Sequence, residues 1–301
     1  MKTQKSMQAR SASLCFLTAF IWGIGFVAQS EGVTHVGPYT FTFFRSILAT
    51  VFLAIVAMGF DKKEGISSFK KYKVKDHLIG GLCCGVFLTV ATILQTIGLL
   101  YTSAGKTGFL TALYIVLVPV FSVFLGKKSH LNVWISVGIA VVGLFLLCVT
   151  ENFNIVPTDL YVLSCAVLFT FHILIIDHFS DKTNGVWLSV IQFAVCTIIS
   201  FFPMIILEKP DLSSLYAAGF SIIYAGIFSS AGGYTLQIIG QKGLNPSFAA
   251  LILSLESVVS VLAGWIILHQ TLSTREIIGC ALMLFAIILV QIDFSGIKKA
   301  L

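Results

Sequence analysis

In this chain of 301 residues 57% are hydrophobic and only 11% charged, and the mean hydropathy is +0.98. Soluble globular proteins carry charge on about a quarter of their residues. The composition therefore excludes a water-soluble enzyme or a nucleic-acid-binding domain and predicts an all-α membrane protein, in which the net charge of +6 marks sidedness and not an anionic partner.

Ten apolar runs follow in chain order: 14–29, 38–60, 78–101, 107–126, 131–150, 159–176, 186–207, 215–240, 246–269 and 277–292. Most reach the roughly 20 residues that a helix needs to cross a ~30 Å hydrocarbon layer. None alternates as a barrel strand does, so helices are the spanning solution. The first run follows Lys2, Lys5 and Arg10, yet no small-x-small cleavage site comes after Phe26, so it reads as a retained helix and not a signal peptide. With the N-terminus inside, fifteen of the nineteen lysines and arginines fall on the inner side, which predicts both termini in the cytoplasm and a cell membrane, plasma or bacterial inner, as the location. The basic loop between Asp61 and Asp76 reads as an anchor beside anionic lipid. Seven cysteines lie inside apolar runs without C-x-x-C or histidine spacing, so they read as small hydrophobes and no metal is expected.

Residues 1–150 hold five runs and 151–301 hold five more. An odd number of crossings leaves the chain on the far side, so the second half enters the bilayer inverted. Inverted repeats are a recurring plan of secondary transporters, with substrate held between the halves near the midplane. An offset of 147 places Arg45 on Gln192, Pro38 on Gly185 and residues 19–27 on 166–174; an offset of 142 places Leu94, Gln95 and Gly98 on Leu236, Gln237 and Gly240; one of 141 places Gly138 on Gly279. The register between the fourth and ninth runs stays open by a few residues.

The runs "FIWGIGFVAQ", "FTFFRS", "YTSAGKTGFLTALYIVLVPV" and "NPSFAALILSLES", in that order and spacing, resemble the EamA-type carriers of the drug/metabolite transporter superfamily over nearly the whole chain. The resemblance implies ten helices in two five-helix repeats around a central cavity, alternating access, and commonly export of amino acids or other small metabolites. One departure stands out. The family's ninth helix usually reads Leu-Glu-Pro, and here Ser257 follows Glu256, so the proline break does not carry over.

Polar groups inside apolar runs carry the functional reading. A full charge at the bilayer centre costs about 2.5–3.5 kcal/mol on insertion scales, so Arg45 and Glu256 should face protein or water. Glu256 has three readings: an anion for a substrate ammonium group, a proton-carrying carboxyl, or a packing residue. For Arg45 the choices are a planar fork for a carboxylate or a side chain that snorkels to the near interface. His172 reads as a packing histidine or a proton relay. Gln95, Gln192 and Gln237 are interhelical hydrogen-bonding groups or substrate contacts. Trp22, Trp187 and Tyr114 line a cavity or belong to the aromatic girdle, and Lys106 reads as an interface residue. The small-residue strip Ala249, Ser260, Ala263 and Gly264 shares a face with Glu256, and Leu255 and Ile266 lie opposite.

No G-x-S-x-G, H-E-x-x-H, Walker or dinucleotide pattern is present, so no cofactor and no enzymatic activity is expected. The expectation is a carrier that exports or exchanges small metabolites, amino acids or related zwitterions, with membrane lipid, a small-molecule substrate and a coupling proton or counter-solute as partners. Its rivals are a membrane-embedded enzyme with His172 and Glu256 as acid and base, which needs those groups within about 3 Å or one water, and a scaffold with a dry core.

Overall fold

The computed structural model describes residues 2–101, 104–127, 130–148, 156–267 and 273–291, and every regular element among them is helical. We number ten principal helices: α1 (Lys2–Gly32), α2 (Pro38–Glu64), α3 (Val74–Tyr101), α4 (Ala104–Ala112 and Tyr114–Phe124), α5 (Leu131–Cys148), α6 (Asp159–Phe179), α7 (Gly185–Glu208), α8 (Gly219–Gln241), α9 (Pro246–Leu253 and Glu256–Ile267) and α10 (Thr274–Gln291). Among the described residues nine helices, α1 to α9, are long and apolar enough to cross a membrane. The expected end of the ninth run, the lysines at 298 and 299 and Lys128 lie outside the described residues.

The helix boundaries follow from local chemistry. Asn184 caps α7 by accepting the N–H of Val186 and Trp187, and Asn245 caps α9 by accepting that of Ser247. Pro38 and Pro246 sit in first turns, where an N–H is not needed. Gly65 closes α2 at φ 67°. Two expected spans need correction. The first helix begins twelve residues before the apolar run, because the Lys2–Ser13 stretch holds no helix breaker and simply continues the coil. The eighth begins at Gly219, since residues 212–217 form a separate short helix capped by Asp211, whose carboxylate accepts the N–H and hydroxyl of Ser214 and is held below its usual pKa by them.

Both α4 and α9 are broken in mid-course, at Leu113 and at Ser254–Leu255. The second segments start at Tyr114 and Glu256, which differ by 142, the offset that also relates Gln95 to Gln237. The fourth and ninth runs, whose register the sequence left open, thus break at places 142 residues apart, and α9 breaks without a proline. The break also ends the simple periodicity of the ninth run: Leu255, expected on a face opposite Glu256, is buried at the break.

The helices pack in matched pairs. Helix α1 lies against α8 and α9 as α6 lies against α3 and α4; α2 touches α8 as α7 touches α3; and α2 packs along α7 and α5 along α10. At α5–α10 the backbones nearly touch, because a Cβ on Gly143 would meet the Gly279 carbonyl at 3.0 Å and one on Gly279 would meet that of Gly143 at 2.7 Å. Hydrogen bonds show which helix ends share a face: Ser11 at the start of α1 reaches the Lys242 carbonyl after α8 (3.0 Å), the Asn184 N–H before α7 reaches His77 at the start of α3 (2.9 Å), and Asn132 at the start of α5 reaches the Val290 carbonyl at the end of α10 (3.0 Å). Lysines tie α4 to α6 at both ends, Lys106 to the fully buried Asp159 at 2.5 Å and Lys127 to Asp177.

Candidate functional site: a central cavity

Where the breaks of α4 and α9 meet, the helices leave a cavity with about 40 Å³ open to the centres of water-sized molecules, enough for a few waters. Its wall is built from α1 (Trp22, Gly25, Phe26, Gln29), α2 (Arg45), α3 (Gln95), α4 (Thr111, Tyr114), α6 (Phe169, Ile173), α8 (Ser229, Tyr234, Gln237) and α9 (Leu253, Glu256). Six residues singled out from the sequence are thus brought together: Glu256, Arg45, Gln95, Gln237, Trp22 and Tyr114.

Arg45 is only 5% exposed and does not snorkel. Its Nε donates to the Ser230 hydroxyl at 2.9 Å and a terminal nitrogen to the Gln29 carbonyl at 3.4 Å, while the Gln29 amide donates to Thr96 at 3.1 Å. Among the described residues no carboxylate lies within 4.0 Å of the Arg45 guanidinium, and no cation within that distance of Glu256. Glu256 accepts instead from the Tyr114 hydroxyl at 3.4 Å, and it stands in the first turn of a helix segment whose positive end favours an anion. One cation and one anion therefore share a small chamber without neutralising each other. Gln95 is fixed by donation to Thr111 (3.2 Å), whereas the Oε1 of its counterpart Gln237 has no protein partner. Between the charges, the Trp22 ring packs on Tyr234 at 4.5 Å and donates its N–H to the Ser229 carbonyl at 3.0 Å.

His172 and Gln192 lie outside this wall. Both are fully buried, His172 Nε2 faces Gln192 Oε1 at 3.2 Å, and the His172 ring meets the Tyr234 edge at 5.8 Å. The offset of 147 that sets Arg45 on Gln192 also sets Gly25, in the cavity wall, on the buried His172. His172 and Glu256 engage different partners, and the direct contact an embedded acid–base enzyme needs is not formed. Trp187 is not in the cavity either; it donates to Asp61 at 3.1 Å and packs on Phe69. Lys106 is an ion-paired helix-end residue.

Sequence reasoning passed over Gln29, Thr111 and Ser229, and it placed Tyr234 only on the inward-looking stripe of Gln237 with Ser230, Gly233 and Gln241. Gln29 looked like a span boundary, and Thr111 and Ser229 carry no charge. The one usable signal was Ser229–Ser230, a polar pair in mid-span. These serines lie in Tyr224–Tyr234, where α8 takes wide π-type turns of a kind frequent at functional sites.

The family comparison decides the class. The EamA-like transporter family matches residues 9–149 and again 156–292. The chain belongs to the EamA-like transporter family. An uncharacterized transporter of Archaeoglobus fulgidus is 29% identical over 92% of this chain and 84% of its own, and the uncharacterized transporter YoaV of Bacillus subtilis (strain 168) is 25% identical over 92% and 95%. A solved crystal structure aligns over 93% of this chain and 96% of its own with a TM-score of 0.78 at 17% identity, a likeness of fold. This EamA-family protein is a multi-pass membrane transporter.

Proposed function

We propose that this protein is a secondary carrier of small zwitterionic metabolites, neutral amino acids foremost, moved by export or exchange. A single observation carries the reading: Arg45 and Glu256 line one cavity, each without a counter-ion among the described residues. Buried charges are ordinarily paired, because an unpaired one forgoes its hydration without return. A bound zwitterion supplies both missing partners at once, its carboxylate to the Arg45 fork and its ammonium to Glu256. The aromatic wall of Trp22 and Tyr234 suits the alkyl part and the cation face. Gln95 and Gln237 supply hydrogen bonds on either side of the axis.

The proposal includes two inverted five-helix repeats. Support comes from the family's double match, from the offsets 147 and 142 at which helix breaks and cavity residues coincide, and from the helix ends: α1 starts on the face where α6 ends. The proposed units of motion mix the repeats, α1, α2, α8 and α9 forming one bundle and α3, α4, α6 and α7 the other. Uphill movement draws on a proton or counter-solute gradient, since the chain carries no nucleotide motif. The test is counterflow of radiolabelled L-alanine into vesicles holding the purified protein and unlabelled L-alanine. The reading requires label accumulation above protein-free vesicles. No accumulation with alanine, glycine, serine or phenylalanine inside would sink it.

A further inference from the structure

Outside the cavity, two carboxylates occupy related places at opposite ends of the α2–α7 pair. Asp61, in the last turn of α2, accepts the indole N–H of Trp187 in the first turn of α7 at 3.1 Å and the Ser68 hydroxyl at 2.5 Å. Glu208, the last residue of α7, accepts the N–H groups of Tyr39 and Thr40 in the first turn of α2 at 2.9 and 2.6 Å. Asp61 and Glu208 differ by 147, and so do Thr40 and Trp187; this is the offset that relates Arg45 to Gln192 midway along the same helices. Equivalent residues thus make an equivalent contact twice, once on each face of the protein.

The second contact is built into the chain. A Cβ on Gly37, whose φ is an ordinary −69°, would meet the Glu208 carboxylate, so any larger residue there would displace that carboxylate from the end of α2. The free N–H groups and the positive end of α2 make this carboxylate–helix contact a strong one. Each carboxylate joins α2 of one bundle to α7 of the other. Polar contacts between the same bundles flank both: Gln29 with Thr96 on the Glu208 face, and Gln241 with the Ile173 carbonyl on the Asp61 face.

We propose that Asp61 and Glu208 are a matched pair of gate clasps, positioning residues that each close one face of the carrier by holding α2 against α7. In this structure both clasps are made, one on each side of the central cavity. Opening toward one face breaks one clasp and leaves the other as the pivot. The inference rests on the transport reading, and its prediction is directional: loss of Glu208's charge favours opening on its own face, and loss of Asp61's favours the face that carries the start of α1.

The experiment uses Ser229→Cys, a conservative reporter in the cavity wall, labelled with a membrane-impermeant maleimide in intact cells and in inverted vesicles, with modification at residue 229 read by peptide mass spectrometry. Glu208→Gln should raise labelling from the Glu208 face at least threefold and leave the other face unchanged; Asp61→Asn should do the reverse. Trp187→Phe removes the indole donor while keeping an aromatic ring against Phe69 and should reproduce Asp61→Asn, which keeps the test valid if that variant folds poorly. Variants that raise labelling on both faces alike, or change neither while the reporter reacts from both, overturn the clasps and leave the carrier standing. A reporter that reacts from only one face in every form overturns the carrier reading, and the clasps with it.

Discussion

Arg45 is held by a serine hydroxyl and a glutamine carbonyl, neither of which neutralises it. Its burial with no acid in reach costs the empty protein stability, and an anionic ligand group restores it. Replacing Arg45 with Met should therefore raise the melting temperature of the empty protein by a few degrees while abolishing stabilisation by L-alanine. Glu256→Gln keeps an acceptor for the Tyr114 hydroxyl, so folding should be unchanged while alanine affinity falls about 10- to 100-fold, the loss of one charge-assisted hydrogen bond. Thermal unfolding in detergent and isothermal titration measure both. An Arg45→Met variant that melts lower and still responds to alanine would assign the arginine to packing. At this scale the sequence was informative where charge was rare: two charges in apolar spans stood out, and both line the cavity. It was silent on Gln29 and Thr111, because an uncharged polar group in a helix is equally at home between helices and in a site.

Helix-level features rest on shape as much as on polarity. The closest backbone approach in the α5–α10 seam is Gly143 against Gly279. Gly143→Leu should destabilise the protein by about 2 kcal/mol, an overpacking cost against a rigid carbonyl. Gly138→Ala, where a Cβ would meet nothing within 4 Å, should be neutral or slightly stabilising. Equal melting temperatures for the two variants would contradict this picture of the seam. The contrast also shows what an alignment of glycines can and cannot say: the match of Gly138 to Gly279 came from identity, whereas the contact lies one turn further along α5. Helix number and most boundaries were legible because hydrophobic runs of membrane length are strong signals. The break in α9 was not, since neither Ser254 nor Leu255 is a proline or glycine, the usual local signals of a helix break.

For the whole molecule, the repeated offsets were legible in part, and the way helices pair across the halves was not. Sequence halves suggest two bodies rocking against each other, whereas packing interleaves them, α1 against α8 and α9 and α3 against α6. Chain order cannot reveal this, because contacts between distant segments are a property of the folded bundle. The consequence is a chamber whose wall draws on seven helices from both halves, with opposite charges held apart inside it. Its chemistry is tested most directly by measuring the thermal stabilisation of the purified protein by L-alanine, by ethylamine and by propionate, each at the same concentration. The account predicts the largest shift with alanine, since the amine and the acid each satisfy only one of Arg45 and Glu256. A shift with ethylamine or propionate as large as that with alanine would contradict it.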